Sequence, residues 1–510
     1  MYWCKIATTE KEFDQIATLN YATFVEEIPQ HEPNATHRLV DQFHADNTYL
    51  VVYKEQQLIG MLALRDKRPF SLDSKIGDVE QYLPDEICDK LCEVRLLAIK
   101  KQFRNGRVFF RLAQALANYL FERRYTACVI SGTTREEKLY KQMGFHQFAK
   151  AVGTSEALFL PMVLTRENSA SLRQRLRRHA LTFYPGPVYQ QEPLSYTDLS
   201  HRSFAFQLLF QELQQRLLAL AHTQYVTPFV GTGTLANEVM LAQLKSDFSE
   251  SKGFIITNGE FGERLAKQAN QQEMLFDVLT FAWHEPFDLA RIEERLAQGE
   301  YKWLLYVHGE TSTGMCNGEQ LVKIAARYDV VVCADCISSF GAFPFSLAPF
   351  YLATAVSGKA IGALSGLSFV FSNHQPQPSQ APLYINLAYY ANWQIPFTLP
   401  AALLHSSLAA LRYYPERYEL LTQRMKMLEG WSCYKKYAYK TNAYPMIATF
   451  ALPYELRRFG HDLKLNGIYL HDESSYLQAR DLVQLSIIQP YFEEAFTLLT
   501  TIYTKYQLLD

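Results

Sequence analysis

Two side chains of opposite sign stand where the sequence makes a charge costly. Asp335 closes the apolar run Val330–Ala334 and is followed by CISSFGAFPF, which puts its carboxylate at the buried edge of a strand. An unpaired charge there costs several kcal/mol, so the group needs a cationic partner. A protonated pyridine nitrogen would be one, and the pairing would keep that nitrogen protonated and the ring able to accept electrons. Lys359 follows in AVSGKAIGALSGLSFVF, with Ser357, Gly358, Ala360 and Gly362 beside it. Small neighbours let another molecule approach, and a desolvated amine loses proton affinity and becomes a nucleophile suited to imine formation.

Three further loops carry polar or aromatic groups after apolar runs. Gly231-Thr232-Gly233-Thr234 precedes a helical pattern starting near Ala236. Backbone amides, hydroxyls and a helix N-terminus suit an anion such as phosphate, although a Gly-Thr turn also serves merely to connect strand and helix. In NGEFGER, Asn258–Arg264, the ring of Phe261 either stacks on a flat cofactor or belongs to the core. In HGETSTG, His308–Gly314, three adjacent hydroxyl residues are expensive to bury without partners, so they face a ligand or cap a helix. His308 is read as a positioning or substrate-binding residue, with a general base as the alternative.

These loops must be held by a frame. Apolar runs at Tyr225–Val230, Gly253–Thr257, Trp303–Val307, Val330–Cys333 and Gly366–Phe371 alternate with helical patterns. That alternation predicts an α/β unit with a largely parallel sheet, helices on both faces and ligands beyond the carboxyl ends of the strands. The chain has 510 residues, too many for one core. Upstream, strand-like runs at Thr48–Tyr53 and Val129–Ser131 surround an amphipathic helix with Leu112, Leu116, Tyr119 and Leu120 on one face. The polar junction TRENSASLRQRLRRH, with Arg173, Arg175, Arg177 and Arg178, reads as a solvated linker helix. The expected division is 1–163, a linker over 164–180, a large domain over 181–385 and a smaller C-terminal lobe over 386–510.

Composition narrows the class. Apolar residues make up 48% and charged residues 20%, with a net charge of −2, which gives no electrostatic reason to expect nucleic acid or an anionic membrane. No stretch of about 18 apolar residues occurs and no leader pattern opens the chain, so a cytoplasmic protein is expected. The eight cysteines are scattered; Cys333 and Cys336 lack a second CxxC or His pair, so no metal is expected.

Taken in order, YPGP (Tyr184–Pro187), SHRSFAF (Ser200–Phe206), GTGTLANE (Gly231–Glu238), NGEFGER, HGETSTG, ADCISSFG (Ala334–Gly341) and SGKAIGALSG (Ser357–Gly366) resemble the class V aminotransferases of pyridoxal 5′-phosphate (PLP) fold type I. That group includes alanine–glyoxylate and 2-aminoethylphosphonate–pyruvate transaminases. The resemblance implies that Thr232, Gly233 and Thr234 bind the cofactor phosphate and that Phe261 stacks on the ring. Thr311 or Ser312 would lie near the ring hydroxyl, Asp335 would pair with the pyridine nitrogen, and Lys359 would be Schiff-base residue and proton shuttle. It also implies a homodimer with a shared site, to which Thr398 in IPFT would contribute, and small-molecule amine and keto acid substrates. Two positions depart from the family: Gly358 replaces an amide side chain, and Val483 and Gln484 stand about where an arginine binds the substrate carboxylate. Arg480 and Arg202 are the alternative anion binders.

In the first 163 residues, EVRLLAI (Glu93–Ile99), QFRNGR (Gln102–Arg107) and LYKQMGF (Leu139–Phe145) resemble GNAT-type acyltransferases, nearest the branch of acyl-homoserine-lactone and N-acyl amino acid synthases. The implied fold is α+β. Arg104, Asn105, Gly106 and Arg107 would hold the pyrophosphate of acetyl-CoA or another acyl-CoA at a helix N-terminus, and Tyr140 would protonate the leaving thiolate. Asn105, Arg107 and Phe109 occupy places where small residues are usual. Glu93 is either a base or a strand carboxylate satisfied by backbone.

Two activities follow as expectations, an amino-group transfer to a 2-oxo acid or aldehyde and an N-acylation of an amine. A PLP lyase, decarboxylase or carbon–carbon bond-forming enzyme with a non-catalytic first domain, and a ligand-sensing regulator, are the competing readings.

Overall fold

A computed structural model describes residues 1–28, 30–104, 106–154, 157–176, 181–189, 196 and 198–507. The chain divides into two compact units. One comprises Met1–Leu181, Pro453–Tyr469 and Glu494–Asp510, the other Thr182–Leu452 and Leu470–Glu493.

The first unit is built on an eight-stranded sheet. Its strands are β1 (Tyr2–Ile6), β2 (Thr48–Lys54), β3 (Gln57–Arg65), β4 (Leu91–Ile99), β5 (Ala127–Thr133), β6 (His146–Gln147), β7 (Val152–Thr154) and β8 (Ala157–Thr165). The order is β1-β2-β3-β4-β5-β8-β6, with β7 also on β8. The longer helices of its N-terminal part are α1 (Glu10–Tyr21), α2 (Arg107–Glu122), α3 (Glu137–Met143) and α4 (Arg166–Leu176). The apolar face of α2, with Leu112, Leu116, Tyr119 and Leu120, is buried as its periodicity predicts. β4 and β5 run parallel and pair only over Leu91–Glu93 and Ala127–Val129, so the strands part beyond that point. Leu96 in β4 has φ +55°, and the register with β3 shifts between Met61 and Ala63, the signature of a bulge that re-aims the strand.

β1 is an edge strand, and its outward polar groups are taken by late residues of the chain. Asn466 accepts from Cys4 N at 3.0 Å and donates to Cys4 O at 2.8 Å, and Asp462 accepts from Ile6 N at 2.9 Å. An unpaired strand edge is thereby closed by side chains. Residues 453–469 and 494–510 thus sit with residues 1–181 and not with the remainder of 386–510. The segment expected as a solvated linker is helical over Arg166–Leu176 and docked: Leu172 enters the core, and Asn168 Nδ2 donates to Gly144 O at 3.2 Å. The side chains of Arg173, Arg175, Arg177 and Arg178 lie outside the described residues.

The second unit carries a seven-stranded sheet of β9 (Tyr225–Val230), β10 (Lys252–Thr257), β11 (Phe276–Thr280), β12 (Tyr301–Val307), β13 (Val331–Asp335), β14 (Leu352–Val356) and β15 (Leu367–Ser372). Its order is β9-β15-β14-β13-β12-β10-β11, parallel except at β15, which is antiparallel to both neighbours. Apolar clusters cover both faces, which is why the strands read as unbroken apolar runs. The mixed α/β class with a mostly parallel sheet agrees with the sequence expectation. Three helices bear on the site: α5 (Phe204–Ala221), α6 (Gly233–Asp247) and α7 (Glu260–Gln271). Among the described residues no helix is long and apolar enough to cross a membrane.

Asn466→Ala leaves the buried Cys4 N–H and C=O without partners, and should destabilise the first unit by about 2 kcal/mol. Chemical denaturation followed by circular dichroism measures the shift; an unchanged midpoint would mean that the edge of β1 is closed by something else.

Candidate functional site

Asp335 is the last residue of β13, level with Val307 of β12 and Thr354 of β14. It is 5% exposed. Its Oδ2 accepts from Asn237 Nδ2 at 2.8 Å and its Oδ1 from Ile337 N at 2.9 Å, while Asn237 Oδ1 accepts from Thr354 Oγ1 at 2.9 Å. Burial raises the carboxyl pKa, and the two hydrogen bonds and the charge of Lys359 oppose that rise.

Lys359 follows β14. Its Nζ donates to Ser338 Oγ at 2.8 Å, and Ser338 Oγ shares a short hydrogen bond with Thr311 Oγ1. The same Nζ lies 5.4 Å from the centroid of Phe261. Lys359 is partly exposed, yet desolvation holds its amine below the usual lysine range, against the pull of Asp335 and Glu310. Gly186, at φ +144°, leaves the room the lysine needs: a Cβ there would stand 3.3 Å from Lys359 Cγ. Downstream, Tyr414 Oη and Arg417 Nε donate to Ala360 O at 3.1 and 2.7 Å, which fixes the backbone that carries the amine.

Thr232 is the N-cap of α6, with Gly233 and Thr234 in its first turn. First-turn amides have no partner within their helix and together form an anion site. A Cβ on Gly233 would come 2.6 Å from Ile337 Cδ1, so glycine is what lets the Asp335–Ile337 turn pass this close. Phe261 lies in the first turn of α7, whose amides are capped by Glu310: its Oε2 accepts from Gly262 N at 3.0 Å and its Oε1 from Phe261 N at 3.4 Å. Ser312 Oγ accepts from Glu260 N at 3.0 Å and donates to Glu310 in a short hydrogen bond. Ser312 is therefore engaged in capping α7, and Thr311 is the hydroxyl that reaches the lysine through Ser338.

A buried carboxylate with acceptor capacity beyond its two hydrogen bonds, a desolvated amine, a helix N-terminus and an aromatic face fit the pyridine nitrogen, aldehyde, phosphate and ring of PLP in turn. The residues present therefore fit that cofactor. Sequence reading did not single out Asn237, Ser338 or Glu310. Asn237 stands one turn into the helix after GTGT, and Ser338 three residues after Asp335, and those spacings were the available signals.

Other candidates lie elsewhere or are engaged. His308 is fully buried, Nδ1 on Ser339 Oγ at 2.9 Å and its ring stacked 4.4 Å from Phe345, and burial pushes its pKa down to about 4. It packs as a core residue against Phe345 and Ser339. Arg480 is exposed and stacked on Trp283, 3.7 Å from the ring centroid. Gln484 is fully buried, and its Nε2 donates to Thr311 O at 2.7 Å, Ser312 O at 3.2 Å and Thr449 Oγ1 at 3.0 Å. Val483 pairs with Phe450 in the small sheet of Ile447–Ala451 and Leu482–Ser486. Arg202 is exposed ahead of α5, and among the described contacts none joins it to Lys359. Thr398 is exposed, in a cleft lined by Val230, Tyr384, Tyr390 and Phe397.

In the first unit, the loop that resembles a pyrophosphate site is partly self-paired. Arg104 donates through Nη2 to Glu27 Oε2 at 2.7 Å, with a second short bond from Nη1, and through Nε to Ile99 O at 2.8 Å. Gly106, at φ +80°, is the N-cap of α2 and Arg107 its first residue; Asn105 lies outside the described residues. Tyr140 packs on Gly132, where a Cβ would come 2.9 Å from its ring, and burial raises its pKa while Thr133 hydrogen-bonds it. Its hydroxyl is thus held in the protonated form beside the end of β5. Glu93 accepts from Ser71 N at 2.7 Å, Ser71 Oγ at 2.6 Å and Leu72 N at 2.9 Å, which is the backbone-satisfied alternative.

The unfolded His308 binds protons more readily than the folded one, so stability is full above the ordinary imidazole value of 6.5 and is lost as pH falls toward about 4. The loss should reach about 3 kcal/mol in the native protein and be absent in His308→Asn. Unfolding midpoints measured across that window check it; identical slopes in both proteins would contradict it.

Comparison with known proteins accords with this division. Residues 15–168 match the family described as N-acyl amino acid synthase FeeM, and residues 190–389 match Aminotransferase class-V. The 2-aminoethylphosphonate–pyruvate transaminase of Pseudomonas fluorescens strain Pf0-1 is 27% identical over 297 residues, 52% of this chain and 79% of the relative. That of Bacillus mycoides strain KBAB4 is 26% identical over 336 residues, 58% of this chain and 89% of the relative. Among solved structures, ureidoglycine–glyoxylate aminotransferase from Bacillus subtilis superposes with a TM-score of 0.56 at 18% identity, over 64% of this chain and 93% of that one. Alanine–glyoxylate aminotransferase from Nostoc sp. gives 0.55 at 19% identity, over 66% and 98%. The chain therefore joins a segment of the FeeM N-acyl amino acid synthase family to a class-V aminotransferase domain with the PLP type I fold.

Proposed function

We propose that the second unit is a PLP-dependent aminotransferase that moves an amino group between an amine donor and a 2-oxo acid or aldehyde, and that the first unit N-acylates an amine with an acyl-CoA. The observation that carries the reading is the amine of Lys359, desolvated and bonded to Ser338, in one buried group with Asp335 at the carboxyl ends of the sheet. PLP, when bound, supplies an aldehyde for imine formation and a ring that accepts the electrons released at the substrate carbon.

The residues divide the remaining work. Asp335 would hold the cationic nitrogen, and is itself held by Asn237 and Ile337 N. Thr232, Gly233 and Thr234 would receive the phosphate at the N-terminus of α6. Phe261, whose backbone is fixed through Glu310, would stack on the ring. Lys359 Nζ, low in proton affinity, takes and returns a proton at the substrate carbon, and the Ser338–Thr311 hydroxyl pair orients it. Arg480 and Arg202 are the candidate partners for a substrate anion, and Thr398 is the contact offered to the site of a second subunit in a homodimer. In the first unit Tyr140 gives its proton to the departing thiolate, and Gly106 and Arg107 face the acyl donor's phosphates at the start of α2. Fusion raises the effective concentration of an amine used by both activities. A cytoplasmic setting suits both sets of substrates.

With PLP bound, an amine donor should bleach the visible absorbance of the protein and a keto acid should restore it. Lys359→Ala should lose that absorbance and all turnover, and turnover surviving the change would overturn the assignment. Tyr140→Phe should slow thiol release from acyl-CoA in the presence of an amine by about 10²-fold, measured with a thiol reagent. A rate equal to the native one would remove Tyr140 from the mechanism.

A further inference from the structure

The place where the family resemblance led to an arginine holds no cation. Gln484 is fully buried, and its Nε2 is divided among Thr311 O, Ser312 O and Thr449 Oγ1. Beside it, His471 Nδ1 faces Gln484 Oε1 at 3.1 Å and Nε2 faces Ser474 Oγ at 2.7 Å, and burial holds its proton affinity down, so the ring is uncharged at neutral pH. Neither side chain has a donor left for a substrate oxyanion.

A guanidinium with free donors stands instead on α7. Arg264 follows Phe261 by one helical turn and lies 4.8 Å from the centroid of its ring, while Lys359 Nζ lies 5.4 Å from the same centroid. Arg480 is further along the chain of rings: it sits on Trp283, which meets Tyr476 at 6.1 Å, and Tyr476 meets Phe261 at 6.2 Å. Among the described residues no hydrogen bond holds Arg264, and its ion-pair partner Glu260 is 3.9 Å away. Its side chain is 45% exposed, so a ligand can reach it. Its charge is felt inside the site. Burial lowers the proton affinity of Lys359, and Arg264 adds to that against Asp335 and Glu310; burial raises the pKa of Asp335, and Arg264 is among the groups that oppose the rise.

We propose that Arg264 is a specificity-determining residue of this site, whose guanidinium takes a substrate oxyanion, the carboxylate of the 2-oxo acid or the acid group of the amine donor, in place of the arginine absent at position 484. The proposal rests on the aminotransferase reading and adds to Arg480 and Arg202 the arginine that shares a ring with the lysine. A guanidinium presents two parallel N–H groups that match the two oxygens of a carboxylate, and stacking on Phe261 holds its plane while leaving the edge free. At 3.9 Å the Glu260 contact is too long for a hydrogen bond and is screened at the surface, so an incoming anion displaces little. Arg264 makes no bond to the reacting carbon. It acts on substrate affinity and leaves the proton transfer at Lys359 in place.

The test sets charged against uncharged substrates in the two half-reactions. Protein loaded with pyridoxamine 5′-phosphate is mixed with pyruvate or acetaldehyde, protein loaded with PLP with 2-aminoethylphosphonate or ethanolamine, and the visible absorbance is followed. In Arg264→Gln the half-saturating concentration should rise at least about tenfold for pyruvate, 2-aminoethylphosphonate or both, with the limiting rate within about threefold of native. For acetaldehyde and ethanolamine it should stay within about twofold, and Arg264→Lys should recover most of the loss. The charged substrate that responds identifies the anion that Arg264 takes. An equal rise for charged and uncharged substrates, no rise for either charged one, or a rise confined to Arg480→Met and Arg202→Met overturns the proposal and leaves amino-group transfer standing. Calorimetry of the PLP-loaded protein with unreactive L-lactate and 2-hydroxyethylphosphonate should show binding of at least one, weakened at least about fivefold in Arg264→Gln. If no substrate changes the absorbance, the aminotransferase reading fails by itself, and this arm decides on Arg264: weakened binding upholds the proposal, and equal or absent binding overturns it.

Discussion

The constraint on which the second unit turns is a carboxylate in the middle of a hydrophobic sheet. Asp335 ends a strand with parallel neighbours on both sides, and the groups around it exist to make its charge tolerable. Asn237 reaches it from α6 and is itself held by Thr354, so helix and sheet are tied together at that oxygen. The turn that delivers Ile337 N to the other oxygen passes α6 only because position 233 has no side chain. The same turn carries Ser338 to the lysine amine. Two hydrogen bonds leave the acid with acceptor capacity and an unmet charge, and that deficit is what makes a cationic ring nitrogen the expected occupant.

Around that centre, helix ends do much of the positioning. The start of α6 is open toward an anion, whereas the start of α7 is closed by Glu310 and Ser312. Two helices that look alike in sequence, each opening after a glycine-bearing turn, thereby differ: the start of one has no side-chain cap, and the start of the other is capped and holds a ring. A buried acid at the second helix would be as costly as Asp335 were it not for the amides it accepts from, and burial accordingly raises its pKa against them.

Much of this frame was legible in the sequence because fully covered parallel strands must be apolar throughout. The runs at 225–230 and 303–307 therefore gave the sheet, and Asp335 and Lys359 stood out as charges that such surroundings do not tolerate alone. Strand Phe276–Thr280, with two polar residues on the sheet edge, offered no such run. Direction was not legible: His308 and Glu310 flank one glycine, and only the fold sends the first into an aromatic core and the second to the cap of α7. Pairings across long separations were equally hidden, as between Arg104 and Glu27 or between Cys4 and Asn466, because nothing local marks either partner. The position where the family resemblance led to an arginine holds Gln484, and what that amide does is visible only through the carbonyls it meets.

The central claim is that Asp335 keeps a bound heteroaromatic nitrogen protonated. It is tested most directly by nuclear magnetic resonance of PLP isotopically labelled at its ring nitrogen and bound to the native protein and to Asp335→Ala. The native complex should give the chemical shift of a protonated pyridine at neutral and mildly alkaline pH, and the variant that of the neutral ring. An unprotonated nitrogen in the native complex, or one whose shift does not respond to the loss of that carboxylate, would contradict the account.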